Sequence, residues 1–97
     1  MLFLSRFRVD GHSMQPTISP NQTILVSSIP YFFVPPKIDD IIACEKSGKV
    51  LIKRITKITD KGYIISGDNI RDSMDSRKLG VVKRKVILGK VIAIFQT

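Results

Sequence analysis

The sequence predicts a mainly β protein, a single compact domain over residues 1–97 built of short, coiled antiparallel strands with little helix. Three observations lead there. Apolar residues recur in β-branched runs with a period of two, not the ~3.6 of a helix. Turn-forming residues separate those runs at short intervals. A chain of 97 residues also holds enough apolar material, 43%, for one modest core but not for two.

At the N-terminus, "MLFLSRFRV" has an apolar run that ends at Ser5 and Arg6, far short of the ~20 residues needed to span a bilayer. It lacks the longer apolar core and small-residue cleavage site of a secretory signal, so a cytoplasmic location is expected, with peripheral membrane contact open. Whether this segment lies on a membrane, docks into the core or forms a strand is left open. "VDGHSMQPTI" (Val9 to Ile18) is too irregular for a helix or strand interior. Strands are predicted at Thr23 to Val26, Asp40 to Lys46, Val50 to Ile58, Gly62 to Ser66 and Lys85 to Phe95. "SGK" at 47–49 and "TDKG" at 59–62 make residues 40–66 a three-stranded meander. "IPYFFVPPK" (Ile29 to Lys37), with its prolines and aromatics, is expected to be a loop over the sheet or along a groove, resisting helix and central strand alike. "SGDNIRDSMDSRKLG" (Ser66 to Gly80) is too long for a plain turn, and long ordered loops in compact domains usually carry function.

Composition narrows the chemistry. The lone Cys44 excludes an internal disulfide, and with the lone His12 it leaves no cysteine–histidine set for zinc, so no metal or cofactor is expected. The formal charge of +8 suits nucleic acid, an anionic surface or an acidic partner, or simply a solvated basic surface. A small basic β-domain binding nucleic acid is the reading from a different class. Against it, the aromatics cluster in "PYFFVPP" and form no stacking platform, and no RNA-binding signature is present.

Ser13 sits in the odd stretch, and a serine hydroxyl is a poor nucleophile until a base takes its proton. His12 is adjacent in sequence and points to the opposite side of an extended chain, which makes it a poor base for Ser13. Lysine is the remaining strong candidate, and a lysine base must give up its proton near pH 7 rather than near its ordinary ~10.4, mainly through burial. Lys53 fits best: in "VLIKRITKI" it shares a face with Leu51 and Ile55, while Ile52, Arg54 and Thr56 take the other. By that local pattern alone, a lysine snorkelling from a sheet edge is the plainer reading.

Four stretches in order, "GHSMQPTI", "LIKRI", "SGDNIRDSMDSRKLG" and "ILGKV", resemble the sequence boxes of the type I signal peptidase family of serine proteases. The resemblance runs from about Val9 to Val91 and implies a signal-peptidase-like catalytic domain with a Ser-Lys dyad. It makes Ser13 the nucleophile and Lys53 the general base, with Ser73 orienting the lysine amine and Asp75 and Arg77 forming an ion pair that holds the third box. The Ser13 backbone N–H is implied as an oxyanion donor; Gly11 stands where some members carry a second, side-chain donor. Gly11, His12, Met14 and Pro16 are thereby placed around the oxyanion and substrate groove: Gly11 for close passage of the chain, Pro16 to stiffen the turn, Met14 as an apolar wall and core residue. Two places that often read Gly-Asp in the family read "NQ" (Asn21, Gln22) and "DD" (Asp39, Asp40) here, a departure that bears on turns. Ile70 and Arg71 are atypical within the third box.

The 97 residues carry neither the anchoring helix nor the extra β-rich domain of membrane leader peptidases. They look most like the small branch that matures nickel-type superoxide dismutase. That resemblance implies removal of an N-terminal propeptide from the nickel superoxide dismutase precursor, with cleavage of secretory leader peptides as the alternative.

Overall fold

The computed structural model describes residues 3–69 and 81–95, and at its centre is the predicted meander. Strands β1 (Ser5–Arg8), β2 (Thr23–Ser27), β3 (Ile41–Lys46), β4 (Lys49–Thr59), β5 (Gly62–Ser66), β6 (Val81–Val82) and β7 (Ile87–Phe95) form one sheet, in the order β1-β2-β7-β3-β4-β5-β6. Every neighbouring pair is antiparallel. The β3–β4 hairpin closes through two residues, Ser47 and Gly48, with φ of 53° and 79°. Positive φ at both positions is the turn whose twist matches that of paired strands, and it accounts for the glycine.

β3 lies at the middle of the sheet and is buried on both faces: Ile42, Ala43 and Cys44 are each 0% exposed. On one face Ile42 and Cys44 pack with Tyr31, Ile55, Ile65, Val82 and Ile87. On the other, Ala43 packs with Val9, Met14, Ile18, Ile24 and Val26. Register breaks at Leu25/Val26, Ala43/Cys44 and Ile55/Lys57 interrupt three of the pairings. Such bulges add local twist and bend, which lets one sheet wrap around two apolar layers.

Several expectations need correction. Residues 29–37 do contain helix, the single turn α1 (Pro30–Phe33). Proline is tolerated at the first helical position because its missing N–H would have had no partner there. Tyr31 anchors that turn by entering the core, while Phe33 is 82% exposed. Lys85 and Val86, expected in the last strand, belong to a 3-10 turn over Arg84–Val86 that crosses from β6 to β7. β1 and β6 were not among the predicted strands; β1 adds the N-terminal segment to the sheet edge beside β2. At the two departures from Gly-Asp, Asn21 (φ 71°) and Asp39 (φ 78°) take the left-handed conformation that glycine adopts most readily. Asparagine and aspartate are the side chains best suited to it, so these turns form without glycine. Among the described residues no helix is long and apolar enough to cross a membrane.

Candidate active site

The irregular stretch after β1 is a loop closed at its neck, where the Val9 N–H donates to the Gln22 carbonyl (2.8 Å) and the Asn21 N–H to the Val9 carbonyl (2.9 Å). Met14, 2% exposed, and Ile18, 0% exposed, pin the loop onto the sheet. Ser13 is half-buried beside them. Further contacts to the loop come from the start of the third box. The Asn69 N–H donates to the Ser13 carbonyl at 2.8 Å, and Asn69 Nδ2 donates to the His12 carbonyl at 2.9 Å. Two consecutive carbonyls around the serine are thus held by one residue.

Lys53 lies on β4 opposite Ile42, on the face that also carries Leu51 and Ile55, and is 6% exposed. Cys44 is close by: burial pushes its thiol up to about 11, while the positive charge of Lys53 and, less, that of Lys46 pull it down. A groove of about 150 Å³ runs between residues 7–10 and residues 50–53, and Ser13, Met14 and Lys53 all line it.

Arg54, next along β4, faces the other way and does different work. Its Nε and Nη2 donate to the two oxygens of Asp68, at 2.8 Å and 2.7 Å, and its Nη1 donates to the Asp39 carbonyl at 3.0 Å. Thr17 Oγ1 donates to the same carboxylate at 2.6 Å. Arg54 first, and Thr17 after it, hold the Asp68 carboxyl below the usual carboxylate range, against the opposing effect of burial. The "PT", "KR" and "GDN" stretches are therefore joined through one carboxylate. Sequence reasoning singled out none of Thr17, Arg54, Asp68 and Asn69 as a site residue. The available signal was an arginine directly after the candidate lysine and an Asp-Asn pair in a loop; the missing information was which residue each would meet.

The other predicted site residues fall as follows. His12 is exposed, its Nδ1 lies 3.1 Å from Gln15 Oε1, and it does not line the groove. Gly11 and Pro16 are likewise on the exposed side of the loop. Gly11 has φ +85°, and a Cβ there would meet nothing within 4 Å, so backbone conformation rather than crowding favours glycine. Met14 alone of these four borders the groove. Ser73, Asp75 and Arg77 lie outside the described residues. Among the described residues, the Arg54–Asp68 pair reaches the start of the third box. Among the described residues no three of His, Cys, Asp and Glu gather as a metal-binding group.

A serine and a buried lysine bordering one groove, on a loop and strand cross-tied by a charged hydrogen-bond network, form an arrangement suited to acyl transfer. Among curated proteins none matches the chain. The sequence pattern of the family described as "Signal peptidase, peptidase S26" matches residues 1–58 and 56–96, nearly the whole length. This coverage and the mainly β fold around the matched boxes agree, and the chain belongs to the signal peptidase family, peptidase S26, a family of serine peptidases.

Proposed function

We propose that this chain is a Ser-Lys endopeptidase that removes an N-terminal propeptide from a protein, with the nickel superoxide dismutase precursor as its substrate. The observation that carries the dyad is the shared groove: Ser13 and Lys53 line it together, and Lys53 is buried on β4 opposite Ile42. In this reading Lys53 Nζ takes the proton from Ser13 Oγ as that oxygen attacks the scissile carbonyl carbon. The Ser13 backbone N–H donates to the developing oxyanion. The tetrahedral intermediate then collapses: the C–N bond breaks, Lys53 passes its proton to the departing amine, and an ester to Ser13 remains. Water, deprotonated by Lys53, opens the ester and returns the proton to Ser13. Met14 walls the groove, and Asn69 holds the His12 and Ser13 carbonyls, one on either side of the nucleophile's Cα. The substrate assignment rests on the sequence resemblance to the maturation branch.

The test is incubation of the chain with a nickel superoxide dismutase precursor and, separately, with a secretory precursor, read by mass spectrometry beside Ser13→Ala and Lys53→Ala. The expected result is one cut near the N-terminus of the dismutase precursor, slowed about 10³-fold or more in both variants. A cut confined to the secretory leader would keep the dyad and replace the substrate. Cleavage unchanged in both variants would end the dyad reading.

A further inference from the structure

A second groove, of about 470 Å³, adjoins the first: Phe7 and Val50 line both. Its floor is apolar, with Phe32, Ile87 and Leu88 completing it. Arg84 and Lys85, both exposed on the 3-10 turn, supply positive charge at its margin. Arg84 is held in place there, since its guanidinium lies 5.4 Å from the centre of the Tyr31 ring and one N–H of its planar fork donates to the Ile87 carbonyl at 3.1 Å. Among the described residues no acidic one lines this groove. Ser28 does, only 7% exposed, and among the described residues its hydroxyl has no hydrogen-bond partner. A buried hydroxyl without a partner is uncommon, and this one belongs to a residue that lines the groove, where a ligand can supply an acceptor.

We infer that this groove is a docking subsite for a substrate segment remote from the scissile bond, one that carries carboxylate side chains between apolar ones. The inference rests on the peptidase reading, because a substrate lying in the first groove reaches the second past Phe7 and Val50. The apolar floor takes the aliphatic side chains, the Arg84–Lys85 pair takes the carboxylates, and Ser28 donates to a peptide carbonyl or carboxylate of the same segment. Continuity with the candidate site favours a peptide over a lipid headgroup as the anion. The subsite would select among substrates without touching the reacting atoms, so it acts on affinity and not on the chemical step.

Binding tests this without requiring turnover. A dansyl-labelled hexapeptide of alternating glutamate and leucine, and its lysine–leucine counterpart, are titrated by fluorescence anisotropy against the full chain carrying Ser13→Ala. The acidic peptide is expected to bind about tenfold tighter. Adding Arg84→Glu and Lys85→Glu reverses the order, and Ser28→Ala weakens the acidic peptide about threefold. Lys57→Glu with Lys61→Glu makes the same charge change at exposed lysines off the groove, and is expected to preserve the order. The inference fails if both double variants change the order equally, or if neither does. It fails too if phosphatidylglycerol vesicles, and not the peptide, lose binding with Arg84 and Lys85. Loss of the dyad would show instead as equal precursor cleavage by the parent and Ser13→Ala chains, whatever the peptides do.

Discussion

Two proline-containing segments lie on opposite faces of β3, and each is pinned to the sheet by one carboxylate. Residues 9–22 bury Met14 and Ile18 on one face; residues 29–38 bury Tyr31 on the other. The pin of the first is Asp68, reached by the Arg54 fork and Thr17, and it remains partly exposed at 16%. The pin of the second is Asp40, only 6% exposed, which accepts from the Tyr31 hydroxyl at 2.7 Å and the Lys37 N–H at 3.2 Å, with Lys90 Nζ at 3.5 Å. Burial, and then the Asp40 carboxylate, raise the Tyr31 pKa, so that hydroxyl stays a donor. The difference lies in what each segment presents. The Asp68-pinned loop turns a polar nucleophile candidate inward to a groove, whereas the Asp40-pinned turn leaves Phe32 and Phe33 facing outward. One device of attachment serves a precise polar geometry in one place and holds an apolar surface in the other.

Asp40→Ala should have the largest effect on stability, about 3 kcal/mol, because it leaves the Tyr31 hydroxyl and the Lys37 N–H without their acceptor. Urea unfolding measures it, and a loss below about 1 kcal/mol would mean that Asp40 is not the pin. Asp68→Asn should cost less, about 2 kcal/mol, since water can reach the groups it abandons. Its cleavage rate, taken well below the unfolding midpoint, should fall more than that of Asp40→Ala; equal falls would deny the Asp68 network a special hold on the Ser13 loop.

Acid sharpens the contrast. The folded Asp68 carboxyl lies below its ordinary value of 3.8, so its contribution is fully present above that pH and is lost as pH falls through the folded value. The stability gap between parent and Asp68→Asn should therefore stay level from pH 7 to near 4 and close at more acidic pH. A gap that closes between pH 7 and 5 would contradict the assignment. The smallest effect belongs to Phe33→Ser, at 82% exposure: within about 0.5 kcal/mol of the parent by the same urea measurement.

What the sequence made legible follows from the range of the interactions. The meander was legible because alternation and two-residue turns are local, and Ser47–Gly48 specifies its own backbone. The face shared by Leu51, Lys53 and Ile55 was legible for the same reason, whereas burial of Met14 was expected through the family resemblance. β6 was not, since two valines become a strand only by pairing with Tyr63 and Ile64. α1 was obscured by its prolines, although one of them starts it. Hydrogen bonds from Arg54 to Asp68 and from Thr17 to Asp68 span 14 and 51 positions, and no periodicity reports a partner at that distance. Charge and hydrogen-bonding capacity were visible; their destinations were not.

The adjacency of Lys53 and Arg54 has a consequence for how such a chain can vary. Because side chains alternate along β4, the two neighbours serve opposite faces, and both duties depend on one phase. Deleting a single residue between Lys49 and Lys53, with the hairpin kept, would carry the guanidinium to the place opposite Ile42 and the ammonium to the place opposite Ala43, exchanging their faces. Both functions would fail together, although neither residue had been replaced. Beyond Arg54 the pairing with β5 is itself irregular at Ile55/Lys57, so the strict phase applies to the stretch from the hairpin to Arg54. Length upstream of the pair is thus as constraining as the identity of the pair itself.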